Sequence, residues 1–172
     1  FKNVDGLMNN IATVTHHLAE KLACHPELSF KVLEIVPTTD HDRFYYETEG
    51  EYWRLYKFID NAHSYDVVEN TKIAYEGGKA FGLFMSLLAD LPANRLLETI
   101  PDFHNMEKRL DTFNRSLAGN PAHRAALIPA EIEFVKNRAG QMLTIPALVR
   151  EGKLPMRITH NDTKFNNILF DS

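Results

Sequence analysis

The feature that most constrains this chain is a polar cluster between two apolar runs near its C-terminal end. His160, Asp162 and Asn167 stand in the order H-x-D-x-x-x-x-N. Residues 156–158 and 168–170 flank the cluster and are mostly of types that favour β-strands. The pattern therefore predicts two short strands joined by a loop that carries the polar side chains.

The spacing within this cluster is that of a kinase catalytic loop. Phosphoryl transfer needs a carboxylate that orients and deprotonates the attacking hydroxyl, and Asp162 is the candidate. A neutral oxygen ligand five residues later would hold Mg²⁺ against the phosphates, which makes Asn167 the candidate metal ligand. Lys164 would face the transferring phosphoryl group, and His160 would hold the loop in place without reacting.

The longer run H-N-D-T-K-F-N-N-I-L-F-D resembles the aminoglycoside phosphotransferase and choline kinase-like superfamily. Within it, this run and the start Phe1-Lys2-Asn3-Val4 are most similar to the N-acetylhexosamine 1-kinase branch. The resemblance implies an α+β fold with the two lobes of a protein kinase, and ATP and Mg²⁺ as cofactors. It also implies a small-molecule acceptor, first of all the anomeric hydroxyl of an N-acetylhexosamine. Choline, homoserine and aminoglycosides are the alternative acceptors.

The resemblance divides the chain into two lobes. Residues 1–59 are expected to form a partial N-lobe of one helix and antiparallel strands, and residues 60–172 a helical C-lobe that ends in the catalytic loop. The first helix is predicted to be capped by Asp5 and to end before Pro26, because apolar residues recur between them at spacings of three and four.

Three β-prone runs follow the first helix, at residues 29–37, 43–48 and 51–59. Glu49 and Gly50 join the last two as a hairpin turn. Together the three runs are expected to complete one sheet.

Apolar residues recur at helical spacing in four later segments, which are therefore predicted to be helices: residues 65–91, residues 101–120, a segment from Pro129 onward, and residues 145–151. Three glycines interrupt the first of these helices: Gly77, Gly78 and Gly82. Glycine is unfavourable inside a helix, so these positions are expected to permit the close approach of another part of the backbone.

Two further segments are candidates for binding. Phe58, Ile59 and Asp60 occupy the place of the hinge whose backbone binds adenine in the superfamily, although they also suit a simple strand end and turn. Asp102 and His104 could line the acceptor site, although the same residues suit the start of a helix.

Composition limits the classes of partner. A net charge of −4 and a pI near 6.1 argue against a dedicated nucleic-acid-binding protein. Cys24 is the single cysteine, so no internal disulfide is possible. No secretory signal is visible and the longest apolar run, at 80–89, is too short to cross a bilayer. We therefore expect a cytoplasmic protein without a membrane partner, and the sequence does not indicate an oligomeric state.

The chain is expected to be a piece of a longer protein. A kinase needs a glycine-rich loop and a lysine on strands before the first helix, and a second metal-binding aspartate after the catalytic loop. Residues 1–172 alone are therefore expected to be inactive. The rival hypothesis is a kinase-fold remnant that binds a nucleotide or a protein without chemistry. An aspartate on an apolar strand within about twenty residues after Ser172 would favour the enzyme.

Overall fold

The computed structural model describes residues 2–39 and 43–171, and it has a mixed α+β fold, as predicted. The helices are α1 (Val4–Ala23), α2 (Thr71–Leu87), α3 (Met106–Gly119), α4 (Pro129–Met142) and α5 (Thr144–Arg150). The strands are β1 (Ile35–Val36), β2 (Tyr46–Thr48), β3 (Glu51–Trp53), β4 (Leu55–Tyr56), β5 (Ala62–His63) and β6 (Phe170–Asp171). Within those ranges, no helix combines the length and apolar character that a membrane crossing requires.

The chain forms two compact units. The first comprises the chain up to Thr99 and from Arg157 onward, and the second comprises Ile100–Met156. Helices α1 and α2 and the strands lie in the first unit, and α3, α4 and α5 lie in the second. The lobe boundary predicted between residues 59 and 60 is a different division and remains a prediction about the parent fold.

Helix α1 begins two residues earlier than its predicted cap allows. The side chain of Asn3 accepts a hydrogen bond of 2.8 Å from the backbone N–H of Gly6, so Asn3 is the N-cap. Asp5 lies in the first turn instead, where its carboxylate accepts a hydrogen bond of 2.7 Å from the Tyr45 hydroxyl. The prediction that Asp5 caps the helix was therefore wrong. The end before Pro26 is confirmed.

A cluster of leucines forms the core of the first unit. Leu18 of α1 packs with Leu87, Leu88 and Leu91 at the end of α2, and Leu18 and Leu88 are each only 2% exposed. Ile158, just before the polar cluster, packs against these leucines. The core therefore fixes one end of the polar loop.

Helix α2 begins at Thr71, later than predicted, because the side chain of Asn70 caps it. That side chain accepts a hydrogen bond of 3.0 Å from the backbone N–H of Ile73. Leu88, the C-cap residue of α2, is buried, whereas Met85 within the helix is 47% exposed.

The strands pair in three separate antiparallel ladders, so the prediction of one sheet was wrong. Strands β2 and β3 form the predicted hairpin, in which Thr48 pairs with Glu51. Glu49 and Gly50 between them have φ angles of 53° and 80°, the left-handed pair that a type I′ turn requires. Arg54 then separates β3 from β4, and β4 pairs with β1 instead.

The second unit follows its sequence signals closely. Asn105 caps the start of α3, and Asn120, directly after its last residue, is the C-cap in a left-handed conformation with φ of 34°. Pro129 takes the first position of α4, as predicted. Arg150 of α5 forms an ion pair with Glu107 of α3. Met106 at the start of α3 is exposed. The other apolar residues at helical spacing on α3 and α4, including Leu143 at the α4 C-cap, are half-buried: Leu110, Phe113, Leu117, Ile132, Val135, Ala139, Met142 and Leu143.

Asp90, which follows α2, joins the two helices of the first unit. Its carboxylate accepts a hydrogen bond of 3.1 Å from Nε2 of His17, and the Lys21 ammonium pairs with its other oxygen. The Lys21 hydrogen bond is the largest of the causes that lower the pKa of Asp90. A carboxyl group with a lowered folded-state pKa stabilises the fold above its unfolded pKa of about 4. That stabilisation is lost as the pH falls through the lower, folded-state pKa.

We therefore expect Asp90→Asn to lower the melting temperature at pH 7, and the difference from wild type to shrink below about pH 4. Thermal unfolding followed by circular dichroism at pH 7 and pH 3 measures this. Asp111→Asn is the matched control, because Asp111 pairs with Arg115 one turn along the same helix and should matter less. An equal effect of Asp90→Asn at both pH values would contradict the assignment.

Candidate active site

The polar cluster forms a loop at the surface of the first unit. Residues Phe165–Asn167 make one 3-10 turn, and β6 follows almost directly. Strand β6 pairs antiparallel with β5, which confirms the strand predicted after the loop. The strand predicted before the loop was wrong: within the described residues no segment pairs with residues 156–158, so they are not in a strand. Ile158 packs into the leucine core.

The loop brings Asp162, Lys164 and Asn167 together. The side-chain amide of Asn167 donates hydrogen bonds to the backbone carbonyl and to Oδ2 of Asp162, each at 2.9 Å. Nζ of Lys164 lies 3.4 Å from the same Oδ2. The side chains of Lys164 and Asp162 are 56% and 62% exposed. The loop therefore presents one hydrogen-bonded carboxylate to solvent.

The environment of Asp162 favours its ionised form. The hydrogen bond from Asn167 is the largest cause that lowers the pKa of Asp162, and Lys164 and His160 lower it further. A carboxylate with a lowered pKa is a weak base. It is therefore suited to orient a hydroxyl group and to receive its proton late in a reaction.

The chemistry of its partners fixes the orientation of the Asn167 amide. A carbonyl and a carboxylate oxygen can only accept hydrogen bonds, so the amide nitrogen must face them. Among the residues that the structure describes, no hydrogen bond uses Oδ1 of Asn167. A neutral oxygen of this kind is a suitable Mg²⁺ ligand, and Mg²⁺ on a nucleotide needs only one or two protein ligands. Oδ1 of Asn167 is therefore suited to the metal, and metal binding by Asn167 remains a prediction. Residues 2–39 and 43–171 contain no group of three or more His, Cys, Asp and Glu side chains that could hold a metal.

The ring of His160 lies against two aromatic residues of α2. It contacts Phe81 and Phe84 edge-on, with centroid distances of 5.5 and 5.7 Å. This placement suits a residue that holds the loop, and that role remains a prediction.

A second aromatic contact anchors the loop, and the sequence pattern did not reveal it. The ring of Phe165 packs on the backbone of α2 at Gly77, where an added Cβ would lie 2.5 Å from Cε1 of the ring. Gly78 and Gly82 have nothing within 4 Å of such an atom. The close approach predicted at the three glycines thus occurs at Gly77 alone, and it is made by a side chain.

A cleft of about 580 Å³ adjoins the loop within the first unit. Asn167 lines it together with Lys31, Arg54 and Ile59. Lys31 also lies near the end of β6, with its Nζ 3.9 Å from Oδ1 of Asp171. Lys31 and Arg54 lie in runs that were predicted only as strands, and no local motif marks either as a binding residue.

The predicted adenine-binding segment lies between β4 and β5. Ile59 lines the cleft with Asn167, whereas Phe58 is 86% exposed and, with Asp60, is not part of the lining. Asn61 follows with a φ of 56°, so the chain turns here into β5. Adenine binding by this segment remains a prediction.

Asp102 and His104 lie in the second unit, in the turn before α3. The carboxylate of Asp102 accepts a hydrogen bond of 2.8 Å from the Asn105 amide, and the His104 ring packs edge-on against Phe103. These contacts are those of a helix start, and an acceptor-binding role remains a prediction. Comparison with known protein families finds no family model that matches the chain.

Proposed function

We propose that the full-length protein transfers the γ-phosphoryl group of ATP to a hydroxyl group of a small molecule. The observation that carries the proposal is the exposed Asp162 carboxylate, bonded by Asn167 at 2.9 Å and by Lys164 at 3.4 Å within one loop. An aspartate that accepts the hydroxyl proton and an asparagine five residues later that binds Mg²⁺ are two of the parts that a protein-kinase site uses.

In this proposal Asp162 accepts a hydrogen bond from the acceptor hydroxyl. Its Oδ1 is suited to this, since no hydrogen bond within the described part of the chain uses that atom. The hydroxyl oxygen forms a bond to the γ-phosphorus while the bond to the β,γ-bridging oxygen breaks, and ADP leaves with the electron pair. The hydroxyl proton passes to Asp162 late in the step, in keeping with its low basicity.

The other two loop residues, Lys164 and Asn167, help to neutralise the negative charge of the phosphates. Lys164 offsets negative charge on the transferring group, and Asn167 supplies an oxygen to Mg²⁺, which when bound neutralises the phosphates. Lys31 and Arg54 on the adjoining cleft add positive charge suited to a polyphosphate. The order of elements, with a helix, antiparallel strands, an irregular segment and then helices, supports a two-lobe protein-kinase-like parent fold.

The sequence resemblance supports a sugar as the acceptor, and an N-acetylhexosamine above the other candidates. The product would be the hexosamine 1-phosphate, because the anomeric hydroxyl is the attacking group in the branch that the loop resembles.

The test is an ADP-release assay on the full-length protein with ATP and MgCl₂. The acceptors are N-acetylglucosamine, N-acetylgalactosamine, choline, homoserine and an aminoglycoside. We expect ADP release with an N-acetylhexosamine, and a sugar 1-phosphate signal in the ³¹P NMR spectrum. If titration shows nucleotide binding but no acceptor causes ADP release, the proposal is rejected in favour of the inactive remnant.

A further inference from the structure

We propose that Gly77 of α2 is a positioning residue for the candidate catalytic loop. Because Gly77 has no side chain, the Phe165 ring can pack on the helix, and this contact sets the position of Asp162. The inference rests on the proposed function, since Asp162 has a catalytic role only in that reaction. Gly77 itself touches neither Asp162 nor any reacting group that the proposal names.

Two rings of the loop rest on one face of α2. Gly77, Phe81 and Phe84 are spaced four and three residues apart, so they share a face of the helix. Phe165 packs on Gly77, and the His160 ring packs against Phe81 and Phe84. Asp162 lies between the two anchored rings in the sequence, so the helix holds the loop on both sides of the carboxylate.

The segment between the anchors is internally bonded. The backbone N–H of Lys164 donates to the carbonyl of Asp162, and that of Asn167 donates to the carbonyl of Lys164, each at 3.0 Å. The side-chain amide of Asn167 also donates hydrogen bonds to Asp162. These bonds tie Asp162, Lys164 and Asn167 together, and Phe165 lies in the chain between Lys164 and Asn167, so we expect a displacement of Phe165 to move Asp162 and Asn167 as well.

A methyl group at Gly77 would displace Phe165. An added Cβ would lie 2.5, 3.0 and 3.2 Å from Cε1, Cζ and Cδ1 of the ring. Carbon atoms normally approach to about 3.5–4.0 Å, so the ring must retreat by about 1 Å. The ring also stacks on Phe170 at a centroid distance of 6.4 Å, which restricts the room for that retreat. Because Phe170 stacks on the ring, we expect the loop to move with the ring when it retreats.

The test compares Gly77→Ala with Gly78→Ala in the full-length protein. Both changes add one methyl group to the same helix, but only the first meets a ring. We expect Gly77→Ala to lower kcat by about 10- to 100-fold, since an error of about 1 Å in position can cost that much. The KM for ATP should change by less than about threefold, because the loop displacement acts on the transfer step. Gly78→Ala should keep the wild-type kcat.

Two further measurements separate positioning from general damage. The double variant Gly77→Ala/Phe165→Leu has a shorter side chain opposite the methyl group and should recover most of the lost kcat. The side-chain NH₂ signals of Asn167 in NMR spectra report its bonds to Asp162 without any turnover. They should shift in Gly77→Ala and stay in place in Gly78→Ala.

These readouts distinguish the two proposals. If the wild-type protein transfers no phosphoryl group but the Asn167 signals move only in Gly77→Ala, the proposed function fails and the positioning contact stands. If the wild type is active and Gly77→Ala matches Gly78→Ala in kcat and in the Asn167 signals, the positioning inference is overturned. Loss of kcat in Gly77→Ala that the double variant does not recover would also overturn it.

Discussion

Asp162→Asn should lower kcat for phosphoryl transfer by about 10²–10⁴-fold, the usual contribution of a general base, while nucleotide affinity stays close to wild type. The asparagine has nearly the same shape, and its carbonyl oxygen can still accept the hydrogen bond that Asn167 donates to Oδ2 at 2.9 Å. The change therefore removes the negative charge and the basicity but leaves the loop in place. Steady-state kinetics and nucleotide titration of the full-length protein measure the two effects separately.

Asp111→Asn provides the control for this experiment, because it makes the same chemical change on α3 in the second unit. It should leave kcat unchanged. An Asp162→Asn protein that keeps more than about a tenth of the wild-type kcat would remove Asp162 from its assigned role. A protein that loses nucleotide binding as well would show that the carboxylate supports the fold of the cleft.

Asn167→Ala should raise the Mg²⁺ concentration needed for half-maximal activity and move the acid limb of the pH profile of kcat/KM to higher pH. The first effect follows from the loss of an oxygen ligand. The second follows because the Asn167 hydrogen bond is the largest cause that lowers the pKa of Asp162. Without that bond the pKa rises, so Asp162 becomes protonated at a higher pH.

Asn167→Asp separates the two roles of Asn167. A carboxylate can bind Mg²⁺, but it cannot donate a hydrogen bond to Asp162, and its negative charge raises the pKa of its neighbour. We expect this variant to keep a near-normal Mg²⁺ dependence with an acid limb shifted to higher pH. If Asn167→Ala changes neither the Mg²⁺ dependence nor the acid limb, Asn167 is only a structural residue.

Features that depend on neighbours in the sequence could be predicted from the residues. The hairpin at Glu49 and Gly50 was predicted because the turn itself sets the pairing of its strands. The approach of Asn167 to Asp162 is similarly local, since five residues and one 3-10 turn bring the two side chains together.

Features that depend on a distant partner could not be predicted. Nothing near Tyr56 indicates that β4 pairs with β1 across the intervening hairpin. A glycine in a helix signals a close approach, but the sequence does not say that Phe165 makes it or that only Gly77 receives it. The N-cap of α1 was wrongly predicted for the same reason. Asn3 and Asp5 are equally good caps by residue type, and the residue that binds the Asp5 carboxylate, Tyr45, is distant in the sequence.

The first unit consists of two stretches of chain, up to Thr99 and from Arg157 onward, and this limits the order in which its parts can fold. The amide of Asn166 donates to the carboxylate of Asp66 at 3.4 Å, and the two residues are 100 positions apart. The whole second unit is translated between them. Contacts between such distant positions form slowly, because a long loop has to close first. A ribosome-bound chain therefore completes residues 100–156 before it can assemble the loop on α2.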